Sequence, residues 1–318
     1  MPLTKQFAGR ILFLLLLAAG IFFITLIPQT YEREVTVPYT MLKTGEQLSL
    51  PVNLVKWYLP FAIDDSVKKN ISGKKEIKTS DYSLLTTETT SISTLLIAGW
   101  KNKQKQFHFT ASADSGEMSS SKIKLTYKST LLNKWLDKGQ LIKNAEESLL
   151  NLKAYMEDTR QFYGYQIEQT TVTDTSFIFL SAIVPVTEKR AATRKLFEQL
   201  INYSKQKDGG YTGTRIFYTV PYGKDQVMLF ASIGISGRII IKKGEQIQYK
   251  RMPWGKNLLV ASYQGPYKDI SKVYTALENF KADHSLSSMA IPYQKFFSDG
   301  YDFDDDQVVQ MKVYYPIF

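Results

Sequence analysis

Residues 258–282 read LLVASYQGPYKDISKVYTALENFKA. Their first six residues are an apolar-rich run closed by Gly265-Pro266, which predicts a strand that stops there. Proline suits the first turn of a helix. From 268 to 282 the residues Val273, Leu277 and Phe280 recur at spacings of four and three, so an amphipathic helix should lay this face on a sheet. Strands at 293–297 and 306–314 complete a β-α-β-β unit. The same order occurs once upstream: a strand at 177–180, a helix at 189–203 and strands at 215–219 and 225–233. Asp225-Gln226-Val227 falls where Asp306-Gln307-Val308 falls. Neither copy can bury both a helix face and a sheet face alone. The duplication therefore predicts one α+β domain over 165–318, with repeats at about 171–236 and 250–318, a shared sheet and pseudo-twofold symmetry.

Upstream, the pattern is that of strands followed by one long helix. Alternation predicts strands at 31–37, 82–87, 91–100, 106–113 and 123–127, punctuated by Gly, Asn, Asp and Ser as antiparallel hairpins require. Residues 68–78 are lysine-rich and read as a loop. Ile142, Ala145, Leu149, Leu152 and Met156 then mark an amphipathic helix over 144–160. These segments define a domain over 31–160.

Ahead of both lies ILFLLLLAAGIFFITLI, residues 11–27, 17 residues without a charge. As a helix it would measure about 25 Å, at the short end of a bilayer core. Lys5 and Arg10 precede it, and Glu32, Arg33 and Glu34 follow Pro28. The expectation from this pattern is an uncleaved transmembrane anchor within residues 1–30: single-pass in the inner membrane, N-terminus cytosolic, with both domains on the exported side.

The chain has 318 residues and a net charge of +10, spread as +2 before residue 31, +4 over 31–150 and +4 over 151–318. Nucleic-acid modules gather their cations on one face, so this dispersal argues against a nucleic-acid partner. Cysteine is absent, which excludes disulfides, thiolate metal sites and cysteine nucleophiles. His108 and His284 fall in different domains and form no metal pair or nucleophilic triad. Asp299, Asp302, Asp304, Asp305 and Asp306 do not follow the order of a calcium loop and read as a solvated connection. No metal and no cofactor is expected.

The second repeat carries Val260-x-x-Tyr263-x-Gly265-Pro266-Tyr267, then Tyr274-x-x-Leu277, Pro292-Tyr293 and finally Val313-Tyr314-Tyr315-Pro316-Ile317. In this the segment 171–318 resembles the GyrI-like effector-binding domain, which also occurs on multidrug-responsive transcription regulators. The resemblance implies ligand binding in an aromatic cleft at the pseudo-twofold axis, on the sheet face opposite the helices. It also implies a buried Glu on the strand after the second helix, with a Tyr two residues on, in members that bind lipophilic cations or hydrolyse strained electrophiles. Here those positions hold Gln294 and Phe296. A glutamine neither attracts a cation by charge nor acts as a general base. The aromatic candidates for the cleft are Tyr218, Trp254, Tyr263, Tyr267, Tyr293 and Tyr314. More faintly, Val35-x-Val37-Pro38, Trp57-x-x-Pro60, the strands and the last helix of 31–160 resemble the START-like polyketide-cyclase superfamily, which implies a helix-grip fold with an apolar cavity.

The expected function is therefore a membrane-anchored, non-enzymatic protein that binds a small, partly apolar molecule. The alternatives are a hydrolase of a small electrophile, which needs a buried acid in the cleft, and an envelope scaffold with vestigial pockets.

Overall fold

The computed structural model describes residues 5–63, 75–114, 116–136, 140–288, 291–296 and 303–317. The chain divides into two compact units, Met1–Glu157 and Asp158–Phe318.

The first unit opens with helix α1 (Lys5–Leu26) and strand β1 (Gln29–Val37). Three short helices follow: α2 (Met41–Ser49), α3 (Pro51–Trp57) and α4 (Leu59–Ala62). Pro51 and Pro60 sit in the first turns of α3 and α4, where a missing N–H costs nothing. Strands β2 (Glu76–Lys78), β3 (Tyr82–Thr89), β4 (Ser93–Trp100), β5 (Lys103–Asp114) and β6 (Glu117–Ser129) form an antiparallel meander. β1 closes the far edge, giving the order β1-β6-β5-β4-β3-β2. Helices α5 (Leu131–Leu136) and α6 (Gln140–Glu157) end the unit, and α6 buries Ile142, Ala145, Leu149, Leu152 and Met156.

Aromatic side chains fill the interior of this unit. Trp57, Tyr58, Phe61, Phe107 and Phe109 are fully buried. The Trp57 ring meets Phe109 edge-on at 5.6 Å, and Phe61 meets Tyr82 edge-on at 5.7 Å. Three polar side chains bind backbone groups within this unit. Trp57 Nε1 donates to the Gln47 carbonyl at 3.0 Å, Asn151 Nδ2 donates to the Trp57 carbonyl at 2.7 Å, and the Leu59 N–H donates to Ser148 Oγ at 2.9 Å.

The membrane-spanning anchor expected from residues 11–27 is corrected. Among the described residues no helix is long and apolar enough to cross a membrane. The reason is length. α1 ends at Leu26 and β1 begins at Gln29, so the apolar part of the helix is confined to residues 11–26 between Arg10 and Pro28. At about 1.5 Å per residue this falls short of a hydrocarbon core of about 30 Å. The membrane as a partner, the single-pass inner-membrane location and the exported placement of the units lose their basis with it.

The second unit begins with α7 (Thr159–Tyr163), capped by Asp158 and closed by Gly164 at φ 85°, and β7 (Ile167–Thr171). The first repeat is β8 (Ser176–Pro185), α8 (Lys189–Gln206), β9 (Tyr211–Tyr222) and β10 (Gln226–Ile235). After β11 (Gln248–Arg251) comes the second repeat: β12 (Asn257–Pro266), α9 (Ile270–Asp283), β13 (Tyr293–Phe296) and β14 (Val308–Pro316). Together they make one antiparallel sheet of order β11-β8-β10-β9-β13-β14-β12-β7. The repeats meet at β9 and β13, where Gln294 pairs with Phe217 and Phe296 with Arg215. The order within one half, β8-β10-β9, is mirrored by β12-β14-β13 in the other, the arrangement expected of a duplicated β-α-β-β unit.

Both helices cover the same face. Leu196, Phe197 and Leu200 of α8 and Val273, Ala276 and Leu277 of α9 join Phe217, Phe296, Met311 and Val313 in one core. The other face carries a smaller cluster that includes Phe177, Ile216, Val260 and Tyr293. Asp304 pairs with Arg190 and Asp306 with Lys268, so these members of the acidic run serve as ion-pair partners. Asp299 and Asp302 lie outside the described residues.

Candidate functional site

Strand β13 decides which candidates can share a site, because successive strand residues point to opposite faces. Gln294 and Phe296 point toward the helices, and Tyr293 and Lys295 point away. The eight residues proposed from the sequence consequently do not converge on one cleft.

Phe296 is buried in the helix-side core, with its ring 6.1 Å from that of Phe197 and 6.3 Å from that of Phe217. On the opposite face Tyr293 and Tyr314 stack at 5.3 Å with planes 6° apart. They line a small hollow of about 120 Å³ with Phe177, Ile216 and Met252. Asp174 and Lys295 close its polar side, 2.8 Å apart. The Tyr218 ring stacks on Phe230 at 4.4 Å and belongs to this face too. Tyr263 turns its hydroxyl onto the Pro266 carbonyl and lines a separate open groove with Tyr165, Phe303 and Met311. Trp254 is 78% exposed at the turn before β12 and joins none of these groups.

Gln294 is the exception. Only 4% exposed, it sits on the helix face at the seam between the repeats. It lines a cavity of about 440 Å³ with Lys189, Thr219, Tyr267, Ile270, Ser271, Tyr274, Ile291, Pro292 and the rim residues Lys268 and Asp305. Tyr218 of β9 also borders it. This cavity lies between the helices and the sheet, whereas the hollow of Tyr293 and Tyr314 lies on the opposite face, where the resemblance implied the cleft. The volume of the cavity falls within the range of about 300–1,000 Å³ usual for small-molecule sites.

The local chain explains why these groups meet. Gly265-Pro266 ends β12, and one 3-10 turn, Tyr267–Asp269, swings the Tyr267 ring beneath the start of α9. Its backbone is pinned by the Tyr267 N–H donating to the Gln307 carbonyl at 2.9 Å and the Lys268 N–H donating to the Asp305 carbonyl at 2.9 Å. The Tyr267 hydroxyl donates to Gln294 Oε1 at 3.1 Å. Tyr274, two turns along, brings its hydroxyl to Gln294 as well. Lys189, the first residue of α8, holds its ammonium 5.5 Å from the centre of the Tyr267 ring, within cation–π reach.

Burial sets the protonation of this group. It pushes the Tyr267 hydroxyl up to about 12. It raises Tyr274 well above its ordinary value. Both hydroxyls therefore keep their protons at neutral pH, and that of Tyr267 donates to Gln294. Burial lowers Lys189, and the Asp305 carboxylate partly opposes this. Among the described residues no acid stands at the centre of the cavity to take up a proton. The site can hold and orient a polar group, but it presents no general base there.

Two contributors were missed in the sequence. Lys189 reads as part of an exposed Lys-Arg pair at a helix start, and Tyr274 as a helix-face residue of the repeat motif. The legible signal was Tyr274 lying seven residues after Tyr267, two turns along the helical register, on the side facing the seam. Among the described residues no group of three or more His, Asp or Glu side chains could hold a metal ion. His108 is exposed on β5, and His284 caps α9 against the Phe280 ring at 4.2 Å.

No family model and no curated protein matches the chain. Among solved structures the chain is similar to the EcmrR C-terminal domain, at 15% identity and TM-score 0.35, over 48% of this chain and 98% of that one. It is also similar to EcmrR in a cryo-EM structure of its DNA complex, at 14% identity and TM-score 0.41, over 58% and 70%. A third likeness, to DynU16 of the dynemicin biosynthetic locus, has 9% identity and TM-score 0.30, over 91% and 86%. Similarities at this level transfer neither a ligand nor a reaction.

Proposed function

We propose that the chain is a non-enzymatic binding protein whose second unit takes a small, partly apolar molecule into the Gln294 cavity. One observation carries this reading. A buried, neutral amide at the seam of a duplicated sheet faces a cavity of ligand size, braced by tyrosine hydroxyls that stay protonated. Ligand pockets of this kind are mostly apolar with a few fixed polar groups, and Ile270, Ile291 and Pro292 supply the apolar wall. A GyrI-like effector-binding role fits this arrangement. The hydrolase alternative needs an acid where Gln294 stands. For the first unit we propose a START-like helix-grip scaffold whose interior is given over to packing, as the buried Trp57, Tyr58 and Phe61 support.

The test is a thermal-unfolding screen of the full chain against small neutral aromatic amides. A ligand at about a hundred times its Kd stabilises a protein by about 2.7 kcal/mol. At least one amide is expected to raise the unfolding midpoint, and Gln294→Met to reduce that rise. A chain indifferent to every member of the set, or one whose response survives Gln294→Met intact, contradicts the reading.

A further inference from the structure

Resting on the binding reading above, we propose that the Gln294 cavity selects small organic anions, a carboxylate joined to an apolar aromatic body, with the Lys189 ammonium as counter-ion.

The charges on the wall carry this. Lys268 also borders the cavity, but its ammonium is held by Asp306. Asp305 stands at the exposed rim. Lys189 is half-buried and is ion-paired with none of the described carboxylates, although Asp305, across the cavity mouth, favours its charge. What its ammonium faces is the π-surface of Tyr267. A lysine in the first turn of a helix also works against the helix dipole, which Glu188 at the N-cap offsets only in part. A partly desolvated cation without an ion pair of its own is unfavourable, Asp305 offsets that cost only in part, and an anion entering the cavity relieves the rest. The neutral amide of Gln294 adds no repulsion to such a guest. A buried glutamate there would oppose it.

The experiment measures binding of three nearly isosteric probes, 2-naphthoate, 2-naphthamide and 2-naphthamidinium, to the full chain by calorimetry at pH 7 in low salt. Hydrogen bonds to charged groups contribute about 1.5–3 kcal/mol, so naphthoate should bind at least about tenfold more tightly than naphthamidinium. In Lys189→Gln the ratio of naphthoate to naphthamide affinity should collapse by about tenfold, and Lys189→Arg should restore most of it. Naphthamidinium binding as well as naphthoate or better, or a ratio indifferent to Lys189→Gln, overturns the anion selectivity while leaving the cavity reading in place. Failure of all three probes to bind overturns both.

Discussion

Trp57→Ala lowers the stability of the first unit by about 3–5 kcal/mol, the cost usual for deleting a fully buried large aromatic. The indole has no exposed surface, packs edge-on against Phe109 and touches Tyr58. Its Nε1 also satisfies the Gln47 carbonyl at the end of α2. Alanine would open a cavity among Tyr58, Phe61 and Phe109 and leave that carbonyl without its partner. The loss should appear in hydrogen exchange as a lower opening free energy for peptides from β5, whose Phe109 the indole packs against. Trp57→Phe keeps most of the volume and loses only the hydrogen bond, so it should cost markedly less. Equal losses for the two variants, or a loss below about 1 kcal/mol for alanine, would mean that the interior is looser than described.

The second large effect concerns the sign of the ligand. Gln294→Glu should invert the charge preference of the cavity. At a separation of about 4 Å and an effective dielectric near 20, two unit charges interact by about 4 kcal/mol. Halving that for solvent reaching an open cavity leaves about 2 kcal/mol, close to thirtyfold in affinity. Naphthamidinium should gain by about that factor and naphthoate should lose by it. The Tyr267 and Tyr274 hydroxyls, protonated at neutral pH, can both donate to the new carboxylate, which lets the variant fold. Burial disfavours the charged form, so the carboxyl of the variant should titrate above its ordinary value. The gain for the cation should then fade as pH falls through that raised value. Calorimetry at two pH values reads both effects. An unchanged ratio of cation to anion would place the ligand away from residue 294.

The architecture was legible wherever periodicity was strong. The repeated Asp-Gln-Val, the helix registers of α8 and α9 and the strand alternation led to one shared sheet, and the order β8-β10-β9-β13-β14-β12 has the symmetry such a duplication requires. What escaped the sequence is mostly short or two-sided. α2, α3 and α4 are 9, 7 and 4 residues long, too short for a helical period to establish itself around Pro51 and Pro60. β2 is 3 residues inside a lysine-rich segment. The candidate site was legible in its centre and not in its outline. Gln294 and Tyr267 meet, but Tyr293 is adjacent to Gln294 and faces the other way, and aromatic content alone cannot tell the two faces apart. Lys189 escaped because a charge at a helix start usually marks a solvated turn. The apolar run near the N-terminus was plain, yet its helical part stops at Leu26, short of a bilayer core.

The central claim is that a small molecule binds against the Gln294 amide between the helices and the sheet. It is tested most directly by labelling the full chain with ¹⁵N-glutamine and following the side-chain amide of Gln294, assigned by its loss in Gln294→Met, as 2-naphthamide is added. The account predicts a saturable shift of that resonance, with the amide of Gln104 on β5 staying in place. Saturable binding of the probe with the Gln294 amide unmoved would contradict it.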